Sequence, residues 1–178
     1  RIATITFISP LFSTPIWVQD AKRLLRKLPM KTQKIIEVCQ EIGATDSKVY
    51  KQAEMEFNKR FVFRGDWKSR SLTKAFGAFN KEVYFHMWGP SEFHPTGKLK
   101  NYDRFKDLSN VKVPAHIFCG QYDEATPESC KKFRAKMKNA KLTVLSGCSH
   151  VAIEERPKYV VAKLKKWLEE ADRIVNSK

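Results

Sequence analysis

The chain has 178 residues and a formal net charge of +15. Hydrophobic residues make up 42% of it, which is enough to form the core of one domain of ordinary size. This composition excludes a chain that is disordered throughout. No run of about 18 apolar residues occurs, so we predict neither a membrane-spanning helix nor a membrane partner. The basic residues alternate with apolar residues along the predicted helices, as on solvated amphipathic faces, and this pattern predicts no nucleic-acid partner.

The first predicted element is a buried strand over residues 2–9, where β-branched and apolar residues dominate until Ser9-Pro10 ends the run. Helical periodicity then extends from about Ile16 to Gly43, with a break at Pro29. The first strand is therefore followed by a helical region.

This helical region continues almost to residue 97. Asp46-Ser47 is typical of an N-cap and predicts a helix that begins there, and a further helical stretch covers roughly 68–87. The segment from Trp88 to Gly97 is rich in turn-forming residues, so it is predicted as a loop.

The pattern changes to an alternation of strands and helices in the last third of the chain. Apolar runs over 113–119 and 141–145 end at Gly120 and Gly147 and predict two buried strands, and helices are predicted over about 127–138 and 157–175. Strands that are apolar throughout and alternate with helices indicate parallel pairing in an α/β fold.

Three strands make a poor parallel sheet by themselves, because both faces of such a sheet need to be covered. About 100 residues of mostly helical sequence separate the first strand from the second. We therefore expect a helical insertion within a sheet domain of which part lies outside this sequence.

Two candidate catalytic residues follow the ends of the last two strands. Asp123 comes after the strand at 113–119, and His150 comes after the strand at 141–145. Because catalytic groups in open α/β sheets lie beyond the carboxyl ends of the strands, an acid and a histidine here predict the Asp and His of a catalytic triad. The residues alone also allow Asp123 to be a turn or cap residue and His150 to be an ordinary loop histidine.

No nucleophile is recognisable in the sequence. The strained G-x-S-x-G turn that presents a catalytic serine is absent, and Ser91 follows no strand. In the chain order Ser, Asp, His of this fold, the nucleophile precedes the helical insertion. We therefore expect the serine to lie before Arg1.

Four cysteines are present without a C-x-x-C pair, and no pair of histidines has metal-ligand spacing, so we expect no metal site and no cofactor. His116 lies inside an apolar strand and is predicted to be a core residue. Reduced thiols, and with them a cytoplasmic location, are favoured by this use of cysteine.

Over essentially its whole length the sequence resembles the proline iminopeptidases (prolyl aminopeptidases) of the α/β-hydrolase superfamily. The motifs that carry the resemblance are Tyr84–Phe93 (YFHMWGPSEF), Thr96–Asp103 (TGKLKNYD), Gly120–Pro127 (GQYDEATP) and Cys148–His150 (CSH). The basic surface is a departure from the family.

The resemblance implies a role for five residues. Asp123 matches the acid of the triad and His150 matches its base. Glu92 and Glu124 match the two carboxylates that bind the free α-amino group of the substrate, and Tyr84 matches a tyrosine near that pocket. From the residues alone, Glu92 could equally be a solvated loop acid, and Glu124 a carboxylate favoured at a helix start.

The resemblance also implies a partial α/β-hydrolase fold with an α-helical cap insertion. Its segments are a core strand and lead-in over residues 1–15, a helical cap over 16–95 and the C-terminal part of the core over 96–178. The nucleophile, the oxyanion segment and the first half of the sheet belong to an N-terminal half outside this sequence. The implied activity is that of a serine aminopeptidase, which releases N-terminal proline from peptides through an acyl-enzyme, with this chain inactive alone.

Two alternatives remain open. Another capped α/β-hydrolase, acting on an ester or amide, would share Asp123 and His150 without depending on Glu92 or Glu124. A non-catalytic fragment would instead bind a partner or an acidic surface.

Overall fold

A computed structural model describes residues 2–176 of the chain. Its sheet has three parallel strands, β1 (Ile5–Ile8), β2 (Ala115–Gly120) and β3 (Ala140–Leu145), in the order β1-β2-β3. The predicted α/β class and the parallel pairing are thereby confirmed. Arg1, Ser177 and Lys178, which belong to the predicted segments 1–15 and 96–178, lie outside the described residues.

Eight α-helices occur within residues 2–176. They are α1 (Thr14–Leu25), α2 (Met30–Glu41), α3 (Lys48–Phe61), α4 (Arg70–Gly77), α5 (Lys81–Met87), α6 (Pro127–Lys136), α7 (Ala152–Glu155) and α8 (Pro157–Asn176). Short 3₁₀ turns at Lys98–Asn101 and Lys106–Asn110 lead from the helical region back to the sheet. The sequence patterns did not predict α7.

Side-chain caps set several helix boundaries. Ser47 accepts a hydrogen bond from the backbone N–H of Tyr50 and so caps α3, which confirms the predicted N-cap. The helical stretch predicted over roughly 68–87 is present, but as two helices, α4 and α5, rather than one. The chain leaves the first after Gly77, and the Asn80 side chain then accepts from the N–H of Val83 to begin α5.

Three hydrophobic clusters organise the molecule. The helical region has its own core between α1, α2 and α3, in which Leu24, Ile36 and Phe57 are buried. On one face of the sheet Ile117 packs with Phe133 of α6, and the other face buries a third cluster against α8. The central strand β2 is thus buried on both faces, whereas β1 has no buried residue and Ile8 and Val144 of the two edge strands are exposed.

His116 is a buried residue of β2, as predicted. Its Nε2 lies 2.8 Å from the hydroxyl of Thr143, and its ring stacks on Phe118 with the centroids 4.1 Å apart. Its Nδ1 is buried without a hydrogen-bond partner among residues 2–176. The prediction of a core residue is confirmed, although only one ring nitrogen is satisfied.

All four cysteines are buried free thiols. Within the described part of the chain, no helix has both the length and the apolar character needed to cross a membrane.

Candidate active site

Asp123 lies in the loop between β2 and α6, where its carboxylate is completely buried. Oδ1 accepts hydrogen bonds from the Ala125 N–H at 2.8 Å and from His150 Nδ1 at 2.9 Å. Oδ2 accepts from the Gly120 N–H at 3.0 Å and from the Ser9 hydroxyl at 2.6 Å. Four donors therefore surround one carboxylate and stabilise its negative charge. The bond from the Ala125 N–H makes Asp123 a turn residue, and the same carboxylate is also the hydrogen-bond partner of His150.

His150 comes from the next loop, which follows β3. Although it is 27 residues from Asp123 in sequence, its Nδ1 lies 2.9 Å from Oδ1 of that residue. The side chain is 30% exposed. Because Asp123 accepts the proton on Nδ1, the neutral ring carries its lone pair on Nε2, which is the arrangement a general base needs.

The two loops touch because Gly120, the last residue of β2, has no side chain. A Cβ built on Gly120 would lie only 2.4 Å from the backbone oxygen of Ser149 and 2.5 Å from that of Cys148. No real side chain tolerates such contacts, so the close approach of the histidine loop depends on this glycine.

The electrostatic environment of His150 favours its protonated form. Burial by itself lowers the pKa of the imidazole, but the hydrogen bond to Asp123 and the negative charges of Glu124, Asp123 and Glu92 outweigh it and raise this pKa to about 9. The proton affinity of the ring therefore depends on the charge state of its acidic neighbours.

Glu124 follows Asp123 directly and is 7% exposed. Its Oε1 lies 3.8 Å from His150 Nδ1, and its Oε2 is buried without a hydrogen-bond partner among residues 2–176. Burial raises the pKa of this carboxyl well above its ordinary value, although the charge of His150 opposes the rise. A buried carboxylate oxygen without a donor is rare in proteins and costs free energy.

Glu92 and Tyr84 approach the same place from the helical region. The Tyr84 hydroxyl donates a hydrogen bond to the Glu92 carboxylate, and the Trp88 indole N–H donates to the Glu92 backbone oxygen at 3.3 Å. Burial raises the pKa of Glu92, which the Tyr84 hydrogen bond partly offsets. Burial and the neighbouring negative charge of Glu92 raise the pKa of Tyr84, so its hydroxyl stays protonated and remains a donor.

All these groups except Asp123 border one open cavity of about 260 Å³. His150, Glu92, Glu124 and Tyr84 contribute its polar groups. The residues that the sequence analysis missed are Ser9, Leu11, Trp17 and Trp88.

Trp17 and Trp88 form an aromatic wall beside the histidine. The centroid of the Trp17 ring system lies 6.0 Å from that of Trp88 and 6.0 Å from that of His150, in edge-to-face arrangements. Trp17 falls within the helical periodicity that begins at about Ile16 and Trp88 begins the predicted loop, and neither pattern indicates a place in a cavity. The position of Ser9 at the carboxyl end of β1 was a usable signal, because the same sheet edge carries Asp123 and His150.

Ser91 is not part of the cavity. Its Oγ accepts hydrogen bonds of 2.8 Å from the Tyr50 hydroxyl and from the Gln40 amide, which places it in the core of the helical region. Within residues 2–176 no side chain hydrogen-bonds to Nε2 of His150.

The arrangement can therefore hold a histidine in one tautomer with a proton-accepting nitrogen. Beside this base, two carboxylates of raised pKa can accept hydrogen bonds from a cation. Such a site suits a reaction that needs a general base next to a positively charged group.

Comparison of the sequence with known proteins identifies relatives of this chain. No protein-family model matches the chain. The chain is 37% identical to a proline iminopeptidase of Heyndrickxia coagulans over 94% of its own length, and this match covers 58% of that protein. The chain thus spans somewhat more than half the length of the curated relatives that it matches.

Two solved structures are also similar. The proline iminopeptidase of Mycobacterium smegmatis matches 97% of this chain with a TM-score of 0.88 and 26% identity, and the match covers 58% of that protein. The structure of VinJ matches 95% of this chain with a TM-score of 0.89 and 29% identity, also over 58% of its own length. These matches confirm the resemblance to the proline iminopeptidases and the partial α/β-hydrolase fold.

Proposed function

We propose that this chain supplies the acid, the base and the amine-binding carboxylates of a serine aminopeptidase that releases N-terminal proline. The similarity to proline iminopeptidases supports the proposal. The observation that carries it is the shared cavity, in which a histidine bound to Asp123 adjoins the carboxylates of Glu92 and Glu124. One buried oxygen of Glu124 has no hydrogen-bond partner in the part of the chain that the structure describes.

In the proposed reaction the nucleophile is a serine from a segment outside residues 1–178. Nε2 of His150 accepts the proton of the serine hydroxyl while the oxygen attacks the carbonyl carbon of the prolyl residue. Asp123 keeps the Nδ1 proton in place and stabilises the imidazolium that forms. His150 then gives its proton to the departing amine, and the acyl-enzyme remains for hydrolysis by water.

The free amine of the substrate is the proposed ligand of Glu92 and Glu124. An N-terminal proline carries a secondary ammonium with two N–H groups, so one donor is available for each carboxylate. Because burial raises the pKa of both carboxyls, an approaching cation stabilises their ionised forms and recovers part of the cost of burying them. The indoles of Trp17 and Trp88 would contact the apolar ring of the proline.

The predicted division of the chain fits this proposal. Residues 1–15 and 96–178 would be parts of the hydrolase core, and residues 16–95 would be the cap that closes over the first residue of the substrate. The four buried free thiols support a reducing compartment such as the cytoplasm.

The test uses the complete enzyme that contains this chain and compares two substrates. Prolyl p-nitroanilide has the free amine, whereas p-nitrophenyl acetate has none. Glu92→Gln and Glu124→Gln should each lower kcat/KM for the anilide by about 30-fold to 100-fold, since each removes one hydrogen bond between charged groups. Cleavage of the acetate ester should change by less than about threefold. Glu37→Gln, on the exposed surface of α2, is the matched control.

Equal losses on both substrates would show that the carboxylates serve the chemistry rather than the amine. Unchanged kinetics on both would favour another capped α/β-hydrolase. Absence of any hydrolase activity in the complete protein would favour the non-catalytic alternative.

A further inference from the structure

Glu155 connects the loop that carries His150 to the helical region. Its carboxylate accepts a hydrogen bond from the backbone N–H of Ser149 at 2.7 Å, and it also accepts from the Ser149 hydroxyl. The third donor is the backbone N–H of Arg64, which lies 2.7 Å from Oε1. One side chain of α7 thus binds both the residue before His150 and the chain that follows α3.

Direct backbone contacts run beside this carboxylate. The N–H of His150 donates to the backbone oxygen of Phe61 at 3.2 Å, and the N–H of Val151 donates to that of Val62 at 2.9 Å. The Ser149 hydroxyl lies 3.0 Å from the Val62 oxygen as well, so it can donate to either of two acceptors. Two consecutive N–H groups of the histidine loop therefore donate to the carbonyl groups at the end of α3, and Glu155 binds both segments beside them.

This pairing matters because His150 lies in a loop and not on a helix or strand. Ser149 is completely buried, and its two polar groups have one acceptor in common, the Glu155 carboxylate. Removal of that carboxylate would leave the Ser149 N–H and the Arg64 N–H without this acceptor. The loop would then gain freedom at the residue next to the base.

We propose that Glu155 is a positioning residue for His150. The orientation of the imidazole then depends on the hydrogen bonds between residues 61–64 and the histidine loop. The inference rests on the proposed function in taking His150 as the base. It goes further in assigning a role to a carboxylate that touches neither substrate nor imidazole.

The neighbouring acid gives a matched control. Glu154 accepts a hydrogen bond from the Ser71 hydroxyl at 2.6 Å on the exposed surface and makes no contact with Ser149. Both side chains therefore link α7 to the helical region, and of the two carboxylates only that of Glu155 binds Ser149, the residue before His150. A general loosening of α7 would affect both variants, whereas positioning of the histidine predicts an effect of Glu155 alone.

The experiment compares Glu155→Ala, Glu155→Gln and Glu154→Ala in the complete enzyme that contains this chain. For Glu155→Ala we expect kcat on prolyl p-nitroanilide to fall by about tenfold to a hundredfold with KM within twofold, because small misplacements of a catalytic group have effects of this size. Glu155→Gln keeps one acceptor oxygen and should recover part of the loss. Glu154→Ala should stay within twofold of the parent.

A second readout does not depend on the choice of substrate. In protein labelled with ¹⁵N-histidine, the Nδ1 proton of His150 should give a hydrogen-bonded NMR signal, assigned by its loss in His150→Gln. In Glu155→Ala this signal should shift or broaden, and the pKa of His150 should fall because the bond to Asp123 weakens.

A loss of thermal stability with unchanged kcat and an unchanged Nδ1 signal would overturn the proposal. An increase in KM alone would also overturn it, because it would place Glu155 in substrate binding. If Glu155→Ala does not fold, the same criteria apply to Glu155→Gln. If Glu92→Gln and Glu124→Gln leave the kinetics unchanged but the His150 signal still responds to Glu155, the proposed substrate is wrong and the positioning role stands.

Discussion

The hydroxyl of Ser9 lies 2.6 Å from Oδ2 of Asp123 and donates a hydrogen bond to it. Ser9 is the residue after β1, and its φ of 47° places it in the left-handed region that residues other than glycine seldom adopt. The residue after the first strand thus binds one oxygen of the Asp123 carboxylate, Oδ2, and His150 binds the other, Oδ1. All three strands contribute to the acid–base pair through the residues that follow them.

Replacement of Asp123 should affect catalysis more than replacement of its supporting serine. Asp123→Asn presents a donor or a weaker acceptor to His150 and should lower kcat by about 10³–10⁴-fold through loss of the correct tautomer. Ser9→Ala leaves three of the four donors to Asp123 in place and should lower kcat by less than about tenfold. Steady-state kinetics of the complete enzyme on a prolyl anilide measure both effects. A larger effect of Ser9→Ala would contradict the supporting role.

The proton affinity of His150 should respond to a bound cation. The pKa of about 9 rests on the hydrogen bond to Asp123 and on the charges of Glu124 and Glu92, which together outweigh the lowering by burial. A secondary ammonium between the two glutamates offsets their charge, so saturating pyrrolidine should lower the pKa of His150 by on the order of one pH unit. By linkage, pyrrolidine should bind more tightly as the pH rises through that pKa.

An NMR titration of the His150 ring with and without pyrrolidine measures this shift. Glu92→Gln with Glu124→Gln should abolish it. A shift that persists in the double variant would mean that the cation binds elsewhere.

His116 should make stability depend on pH below neutrality. Burial and the nearby charge of Lys141 lower the pKa of this histidine to about 4, whereas the unfolded chain takes up the proton near pH 6.5. The neutral ring therefore makes its full contribution to the free energy of unfolding above pH 6.5. This contribution is lost as the pH falls towards 4. By pH 5 the loss is on the order of 2 kcal/mol.

Urea unfolding at pH 7 and pH 5 tests this prediction. In His116→Phe, which keeps an aromatic ring on Phe118, the fall in unfolding free energy between the two pH values should be smaller than in the parent by about that amount. His86→Gln, which changes an exposed histidine, should leave the fall unaltered. An equal fall in parent and His116→Phe would contradict the prediction.

Asp20 should be a strong determinant of stability. Its buried carboxylate accepts hydrogen bonds from the hydroxyls of Thr126 and Ser129, at 2.7 and 2.6 Å, and pairs with Arg23 at 2.9 Å. Asp20→Ala leaves the buried hydroxyls of Thr126 and Ser129 without this acceptor, so it should lower the unfolding free energy by about 2–4 kcal/mol. Asp172→Ala, on the exposed face of α8, should stay within about 0.5 kcal/mol of the parent in the same urea experiment.

Local sequence patterns predicted the fold where one physical rule dominates. The apolar runs before Gly120 and Gly147 indicated two parallel strands, of which β2 is buried throughout whereas Lys141 and Val144 of β3 are exposed. Ser47 indicated a helix start, because capping is decided by neighbouring residues. The rule that ligands lie beyond the ends of parallel strands predicted that Asp123 and His150 meet, and they do.

Contacts between distant segments were not predictable in this way. Nothing in the sequence indicates that Glu155 accepts from Arg64, since 91 residues separate them and α7 was not predicted. Trp17 satisfies a helix periodicity whether or not its indole reaches His150. These side chains acquire their partners from the packing of the helical region on the sheet, and periodicity carries no information about that packing.

Gly120 illustrates how a residue without a functional group can determine the distance between two other side chains, those of Asp123 and His150. Because the backbone oxygens of Cys148 and Ser149 occupy the space where its Cβ would be, the smallest substitution would push the acid and the base apart. In a saturation mutagenesis screen for activity, position 120 should therefore appear as intolerant as positions 123 and 150. Conversely, a designer who transplants this acid–base pair to another scaffold would have to copy the empty position together with the two side chains.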